Sequence, residues 1–101
     1  MFDIEWIKTK VRNSEEYFSM HGEQERQNDN LTITEVREAL LNGIILDQYQ
    51  DTGRGESCLV VGFTMRGKPL HIVCGERNEK LVVITVYIPS PPKFKNPYER
   101  G

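Results

Sequence analysis

The sequence lacks the features that would assign it to several specialised classes of protein. No apolar run approaches the roughly 18–20 residues needed to cross a bilayer, and the start, Met-Phe-Asp-Ile-Glu-Trp, has no basic segment followed by an apolar one. Two cysteines are too few for a secreted disulfide framework. A net charge of -2 excludes a protein that holds nucleic acid by backbone charge alone. We therefore expect a cytoplasmic protein that makes no membrane contact.

The residues that are present fit one compact domain. The chain has 101 residues, of which 38% are apolar and 28% charged, a balance typical of globular domains. Residues 1–43 carry five Lys/Arg and nine Asp/Glu, whereas residues 44–101 carry eight and six. The second half is therefore the better place to look for a site that binds an anionic ligand. We predict a single domain over residues 1–101, in which the Pro-rich segment 89–101 is an extended tail on the domain surface.

Helices are predicted in the first part of the chain. Apolar residues at helical spacing predict a helix over 3–12, and the polar stretch 21–30 is a helix or a loop. The connection between them, Glu15 to Ser19, is ambiguous. Thr32 and Glu35 form a capping box that begins a helix over 33–42. We expect that helix to end at Gly43 in the left-handed conformation.

Strands are predicted after Gly43, where the apolar period changes from helical to alternating. Short turn-prone links between the strands favour an antiparallel meander. The predicted fold class is α+β, with N-terminal helices packed on a four-stranded antiparallel sheet. Its strands are expected at 44–50, 57–65, 69–74 and 81–88.

The turns predict which side chains share a face of the sheet. A two-residue turn at Arg66-Gly67 would pair Phe63 with Leu70. The apolar face of the sheet would then pack against the helices. His71 and Tyr87 would lie close together on the opposite face of the sheet. Cys58 and Cys74 would face opposite ways, which argues against a bridge between them and favours reduced core thiols. His71 and Cys74 would also diverge, so no metal site is expected.

His71 and Tyr87 are the first candidate pair for chemistry. A histidine exchanges protons near neutral pH, and a tyrosine hydroxyl can donate to a leaving oxygen. The alternative is a half-buried sheet histidine with a hydrogen-bond partner, beside an aromatic that packs across strands.

A second set of candidates consists of polar and cationic side chains. On a helix, His21 and Glu25 lie one turn apart, with Arg26 adjacent. They could supply a base, its orienting carboxylate and a phosphate-binding cation, or they could form a solvated charged face. Cations that could contact RNA are Arg54 in a turn and the tail's Lys93 and Lys95, which alternate with aromatic residues. An ordinary polar terminus is the alternative for the tail.

Four short motifs lie within residues 4–90: His21-x-x-x-Glu25-Arg26, Leu31-Thr32-Ile33-Thr34-Glu35-Val36-x-x-Ala39-Leu40-x-x-Gly43, Gly67-x-x-Leu70-His71-Ile72-Val73 and Ile84-Thr85-Val86-Tyr87-x-Pro89. With them the chain resembles a small uncharacterised domain family that is grouped with the RelE/ParE-like toxin superfamily. The resemblance implies helices packed on one side of an antiparallel sheet. It also implies a type II toxin with a cognate antitoxin as partner.

Many members of that superfamily cleave messenger RNA, often on the ribosome, without a metal or other cofactor. The resemblance thus implies an mRNA endoribonuclease. From the chemistry of the residues we assign His21 or His71 as its base or acid, Arg26 as the phosphate stabiliser and Tyr87 as the hydroxyl donor. Arg54, Lys93 and Lys95 would hold the RNA. The alternative is a non-catalytic module of the same fold that binds a protein partner through a sheet edge or its helical face.

Overall fold

The computed structural model describes residues 1–50, 55–90 and 94–100, with the backbone alone at 94–95 and 99–100. Three helices and a mixed sheet confirm the predicted α+β class. Within the described ranges, no helix has the length and apolar character needed to cross a membrane. The elements in chain order are α1 (Ile4–Arg12), β1 (Glu16–Phe18), α2 (Met20–Asn28), α3 (Ile33–Leu41), β2 (Ile44–Tyr49), β3 (Ser57–Phe63), β4 (Pro69–Arg77), β5 (Lys80–Tyr87), β6 (Phe94–Asn96) and β7 (Glu99–Arg100).

Local capping explains where the helices begin. The Asp3 side chain accepts from the backbone N–H of Glu5 at the start of α1. At α3 the predicted capping box is confirmed, because Thr32 and Glu35 each accept from the other's backbone N–H. Each side chain satisfies a donor that the first helical turn leaves unpaired.

Gly43 follows α3 for a reason other than the one predicted. The glycines with positive φ among the described residues are Gly55 and Gly67, so Gly43 is not left-handed. A Cβ at Gly43 would instead lie 2.6 Å from Val60 Cγ1 and 2.9 Å from the Ala39 carbonyl oxygen. Close approach of the chain, and not backbone conformation, therefore requires glycine here.

The sheet has five strands instead of the predicted four, and it is mixed instead of antiparallel. Its order is β1-β5-β4-β3-β2. The additional strand is β1, which occupies the ambiguous connection and pairs parallel with β5, Glu16 opposite Leu81. The other neighbours are antiparallel, as expected for the meander. A partly buried ion pair, in which Arg37 Nη1 donates to the Glu16 carboxylate, ties β1 to α3.

The predicted pairing of β3 with β4 is wrong by one residue. Gly62, and not Phe63, lies opposite Leu70. The link between the strands has three residues instead of two, since the Thr64 N–H donates to the Lys68 carbonyl and Gly67 has φ +82°. A shift of one residue moves every side chain of β3 to the other face.

The main core lies between the sheet and helices α1 and α3. Ala39 of α3 packs so closely on the sheet that a Cβ at Gly62 would lie 1.9 Å from the Ala39 carbonyl oxygen. Helix-facing strand residues alternate with residues of the opposite face. The buried core consists of Ile7, Val11, Leu31, Val36, Ala39, Leu40, Cys58, Val60, Leu70, Ile72, Cys74, Leu81, Val83 and Val86.

The tail follows the opposite face of the sheet. Instead of being extended throughout, it contains a short antiparallel pair of strands, β6 and β7. The Tyr98 ring lies 6.4 Å from the Phe63 ring, centroid to centroid. Pro97 and Tyr98 thus lie against the face of the sheet opposite the helices, and that face is the place to look for a site.

Candidate functional site

His71 and Tyr87 meet on the face of the sheet opposite the helices. They are direct partners in the β4–β5 register, next to Ile72 and Val86, which both point into the helix-side core. The distance between His71 Nδ1 and Tyr87 Oη is 3.1 Å, and the ring centroids are 5.2 Å apart. The prediction that these two groups lie side by side is therefore confirmed.

The hydrogen bonds of His71 define its tautomer. Its Nε2 lies 2.5 Å from the carbonyl oxygen of Pro97. A carbonyl only accepts, so Nε2 carries the proton. In the neutral imidazole, Nδ1 is then the acceptor for the Tyr87 hydroxyl. Tyr87 and Pro97 together orient the ring along one axis, with Nε2 directed toward the tail.

The tail closes this site. His71 has 0% of its surface exposed, whereas the sequence predicted a half-buried residue if the site was structural. The Pro97 carbonyl lies against Nε2, and Tyr98 next to it packs on Phe63; the strand pattern alone could not reveal these contacts. A phosphodiester could reach Nε2 only where the Pro97 carbonyl now lies, so any chemistry at His71 requires residues 96–98 to move away.

Helix α2 carries the second pair of candidates, His21 and Arg26. His21 is 61% exposed, and its Nε2 lies 3.6 Å from Glu25 Oε1, as the predicted one-turn spacing requires. Arg26 donates to the Glu23 carboxylate and, through Nη1, to the Leu31 carbonyl at 2.7 Å. Hydrogen bonding from Arg26 is the main cause that lowers the pKa of Glu23, and the same pair raises the pKa of Arg26.

The sheet separates Arg26 from the His71–Tyr87 pair. The guanidinium lies over the Phe18 ring, 5.9 Å from its centroid, and Phe18 packs against the helix-side core. Within the described ranges, no hydrogen bond, ion pair or ring contact joins His21 to His71 or Tyr87. The structure thus brings together two of the four predicted catalytic residues and holds Arg26 on the other side of the sheet.

The predicted RNA-contacting residues lie in or beside parts of the chain that the structure does not describe. Arg54 and Lys93 are outside the described residues, and Lys95 is in β6, where the backbone alone is described.

The two cysteines are direct neighbours in the sheet, contrary to the predicted opposite facing. Cys58 lies opposite Cys74 in the β3–β4 register because of the one-residue shift. Both are free, buried thiols in the helix-side core. Burial raises the pKa of Cys58 to about 12 and that of Cys74 well above its usual value. They are protonated core residues and poor nucleophiles.

In the portion that the structure describes, no three His, Cys, Asp or Glu side chains are grouped as metal ligands would be.

Three further residues, Tyr17, Arg77 and Lys80, lie at a separate corner of the sheet and were not among the residues predicted from the sequence. Tyr17 lay in the ambiguous connection, and the other two lay in or next to a predicted turn. The signal that could have found them is the pair of cations flanking Asn78-Glu79.

Comparison with known proteins gives a family and no function. A search of curated proteins and a search of solved structures found no match. A family model matches residues 18–88, which include His71 and Tyr87 and leave out the tail. The chain belongs to the family described as "Domain of unknown function (DUF4258)".

Proposed function

We propose that this chain is a RelE/ParE-like type II toxin that cleaves messenger RNA without a metal, using His71 and Tyr87 for proton transfer. The observation that carries the proposal is the 3.1 Å contact between His71 Nδ1 and Tyr87 Oη. Both residues lie on the face of the sheet opposite the core helices α1 and α3, which we call the helix-free face. Two groups that exchange protons, held by a rigid antiparallel register, are the minimum for acid–base cleavage of RNA. The RelE/ParE resemblance of the sequence supports the same activity.

The proposed reaction is transfer of the phosphoryl group to the neighbouring ribose hydroxyl. A base takes the proton of the 2′-hydroxyl, whose oxygen forms a bond to phosphorus while the bond to the 5′-oxygen breaks. An acid protonates that leaving oxygen. The products are a 2′,3′-cyclic phosphate and a 5′-hydroxyl, and no oxidant or metal is needed for the balance.

His71 and Tyr87 would divide these roles by their positions. When the tail moves the Pro97 carbonyl away, Nε2 of His71 is the ring nitrogen that faces the substrate. Tyr87 holds the ring in place through its hydrogen bond with Nδ1. Without the carbonyl, the neutral ring can carry its proton on Nδ1 and donate it to Tyr87 Oη, so that Nε2 is free to accept the proton of the 2′-hydroxyl. The Tyr87 hydroxyl no longer donates to His71 in this tautomer, and it protonates the leaving 5′-oxygen.

Phosphate stabilisation must come from the helix-free face. Arg26 is engaged with Glu23 and lies across the sheet, so in this conformation it cannot contact a phosphate at His71. Lys93 and Lys95 remain the proposed RNA contacts, because in the sequence they come shortly before Pro97 and Tyr98, which lie on that face. The proposed partners are an antitoxin protein, messenger RNA and the ribosome.

A second candidate function is binding of a protein without catalysis. Strand β2 is an edge strand of the sheet, and Ile44 at its start is 52% exposed. Such an edge can accept a strand from a partner through backbone hydrogen bonds. An antitoxin could use the same edge, so partner binding alone does not separate the two functions.

The test is RNA cleavage by the purified full-length chain, in chelator, with and without ribosomes. We expect His71→Ala to lower the rate by roughly 10²- to 10⁴-fold, the usual contribution of a general acid or base. Tyr87→Phe keeps the ring and should also slow cleavage, while thermal melting shows whether each variant folds. His21→Ala is the matched control, since its side chain is exposed on another element.

Expression in a bacterial host supplies the cellular arm of the test. Growth arrest that is relieved by His71→Ala, and by co-expression of the neighbouring gene, supports the toxin. The absence of growth arrest together with the absence of cleavage by the parent chain would remove the nuclease and leave the binding module.

A further inference from the structure

A second cluster on the helix-free face lies at the corner where β1 meets the β4–β5 turn. It surrounds a cavity of about 340 Å³ lined by Ser14, Glu16, Tyr17, Arg77, Asn78 and Lys80. Arg77 and Lys80 are direct partners across the turn formed by Asn78 and Glu79, both of which have positive φ. Two cations therefore border one small cavity.

Tyr17, Arg77 and Lys80 share the helix-free face. Tyr17 lies in register with Val82, which is buried outside the helix-side core. Lys80 is two residues before Val82 and so points the same way, and Arg77 is opposite Lys80. Tyr17 is 37% exposed, so its ring has an open surface beside the two charges.

The two cations of the corner form no ion pair among the described residues, although Glu76 and Glu79 are their neighbours in sequence. No carboxylate lies within 4.0 Å of the Arg77 or Lys80 nitrogens in the described portion of the chain, Glu79 included. Glu16 also borders the cavity, but its carboxylate is neutralised by Arg37. Like charges directly opposite each other destabilise a strand pair. An anion bound between Arg77 and Lys80 would remove this repulsion.

We propose that this corner binds a nucleotide, with its base stacked on Tyr17 and its phosphate held between Arg77 and Lys80. Aromatic side chains stack on any base, and cations hold the backbone phosphate. Ser14 and Asn78 line the same cavity, and a hydroxyl and an amide are groups that can hydrogen-bond the sugar or the base edge. Both a free nucleotide and the end of a single RNA strand present this chemistry.

The inference goes beyond the proposed nuclease, because it concerns binding at a place separate from the His71–Tyr87 pair. Arg77 lies six positions after His71 in β4, which corresponds to roughly 20 Å along a strand. Binding at the corner therefore needs neither His71 nor movement of the tail.

The test follows backbone amide NMR signals of the full-length chain during titration with adenosine 5′-monophosphate, inorganic phosphate and a short 2′-O-methyl oligoadenylate that cannot be cleaved. We expect shifts at Tyr17, Asn78 and Lys80. Arg77→Ala and Lys80→Ala should each weaken mononucleotide binding roughly tenfold, at the lower end for charged hydrogen bonds because the site is exposed. Tyr17→Ala should weaken it about fivefold or more without changing phosphate binding.

Arg66→Ala is the matched control, since Arg66 is an exposed cation in the other tight turn of the same sheet. It should leave the affinity unchanged. Tighter binding of the oligonucleotide than of the mononucleotide identifies a strand end as the source, and equal affinities identify a free nucleotide.

The proposal is overturned if the mononucleotide leaves the corner signals in place, or if Arg66→Ala weakens binding as much as Arg77→Ala does. A chain without nuclease activity that still binds the mononucleotide here would refute the proposed function and support this inference.

Discussion

Tyr98→Ala tests whether the tail controls access to His71. The Tyr98 ring contacts Phe63, and the neighbouring Pro97 carbonyl accepts from His71 Nε2. An aromatic pair of this kind contributes about 0.5–1.5 kcal/mol beyond its buried area. If closure dominates, losing that free energy raises the open fraction roughly 2- to 12-fold. We expect His71 to become accessible, and RNA cleavage to rise, by that factor.

Modification of imidazoles by diethyl pyrocarbonate measures this opening without relying on activity. The chain has two histidines, so His21, with 61% of its side chain exposed, serves as the internal standard. In the parent chain His71 should react far more slowly than His21. Tyr98→Ala should accelerate the modification of His71 alone, and Met65→Ala, which removes an exposed apolar side chain elsewhere, should not.

Two results would refute the reasoning. An unchanged rate of His71 modification in Tyr98→Ala would mean that this ring contributes nothing to closure. Faster modification without faster cleavage would mean that the tail covers His71 but that His71 does no chemistry on RNA.

Further predictions concern stability and reactivity. Thr32→Ala should lower the free energy of unfolding by about 1 kcal/mol in denaturant titrations, because an N-cap acceptor is lost. The backbone N–H of Thr32 is the main cause that lowers the pKa of Glu35 in the folded chain, so its contribution is present above the ordinary value of 4.5 and lost as the pH falls through the folded pKa. Stability measured against pH should show a smaller acid loss in Glu35→Gln. Gly62→Ala should cost about 3 kcal/mol, since the new Cβ would lie 1.9 Å from the Ala39 carbonyl oxygen, and thermal melting checks this. Cys58, with its pKa raised to about 12, should resist thiol reagents at about pH 8 until the chain unfolds.

Elements that depend on neighbouring residues could be predicted from the sequence. The Thr32–Glu35 capping box and the spacing of Ile7 and Val11 place α3 and α1 within a residue or two. These signals are local, since a cap and a helical stripe involve residues three or four apart. The same reasoning placed the four long strands.

Features that depend on distant residues could not be predicted. The β3–β4 register hinged on whether the link had two or three residues, and Arg66-Gly67 fits both. Strand β1 has three residues, too few to show an alternating apolar pattern. Its partner β5 is near the other end of the chain, so no neighbouring residue signals the pairing. The burial of His71 depends on Pro97, which the sequence places 26 positions away.

The parallel pairing of β1 with β5 has a consequence for how the chain folds during synthesis. Residues 16–18 leave the ribosome early, but their partners at 81–83 follow only after most of the domain has been made. The hairpins β3–β4 and β4–β5 join sequence neighbours and can form first. We expect α1 to pack on α3 early and β1 to pair with β5 last, so nascent chains that stall before residue 81 would expose the unpaired edge of β1 to chaperones.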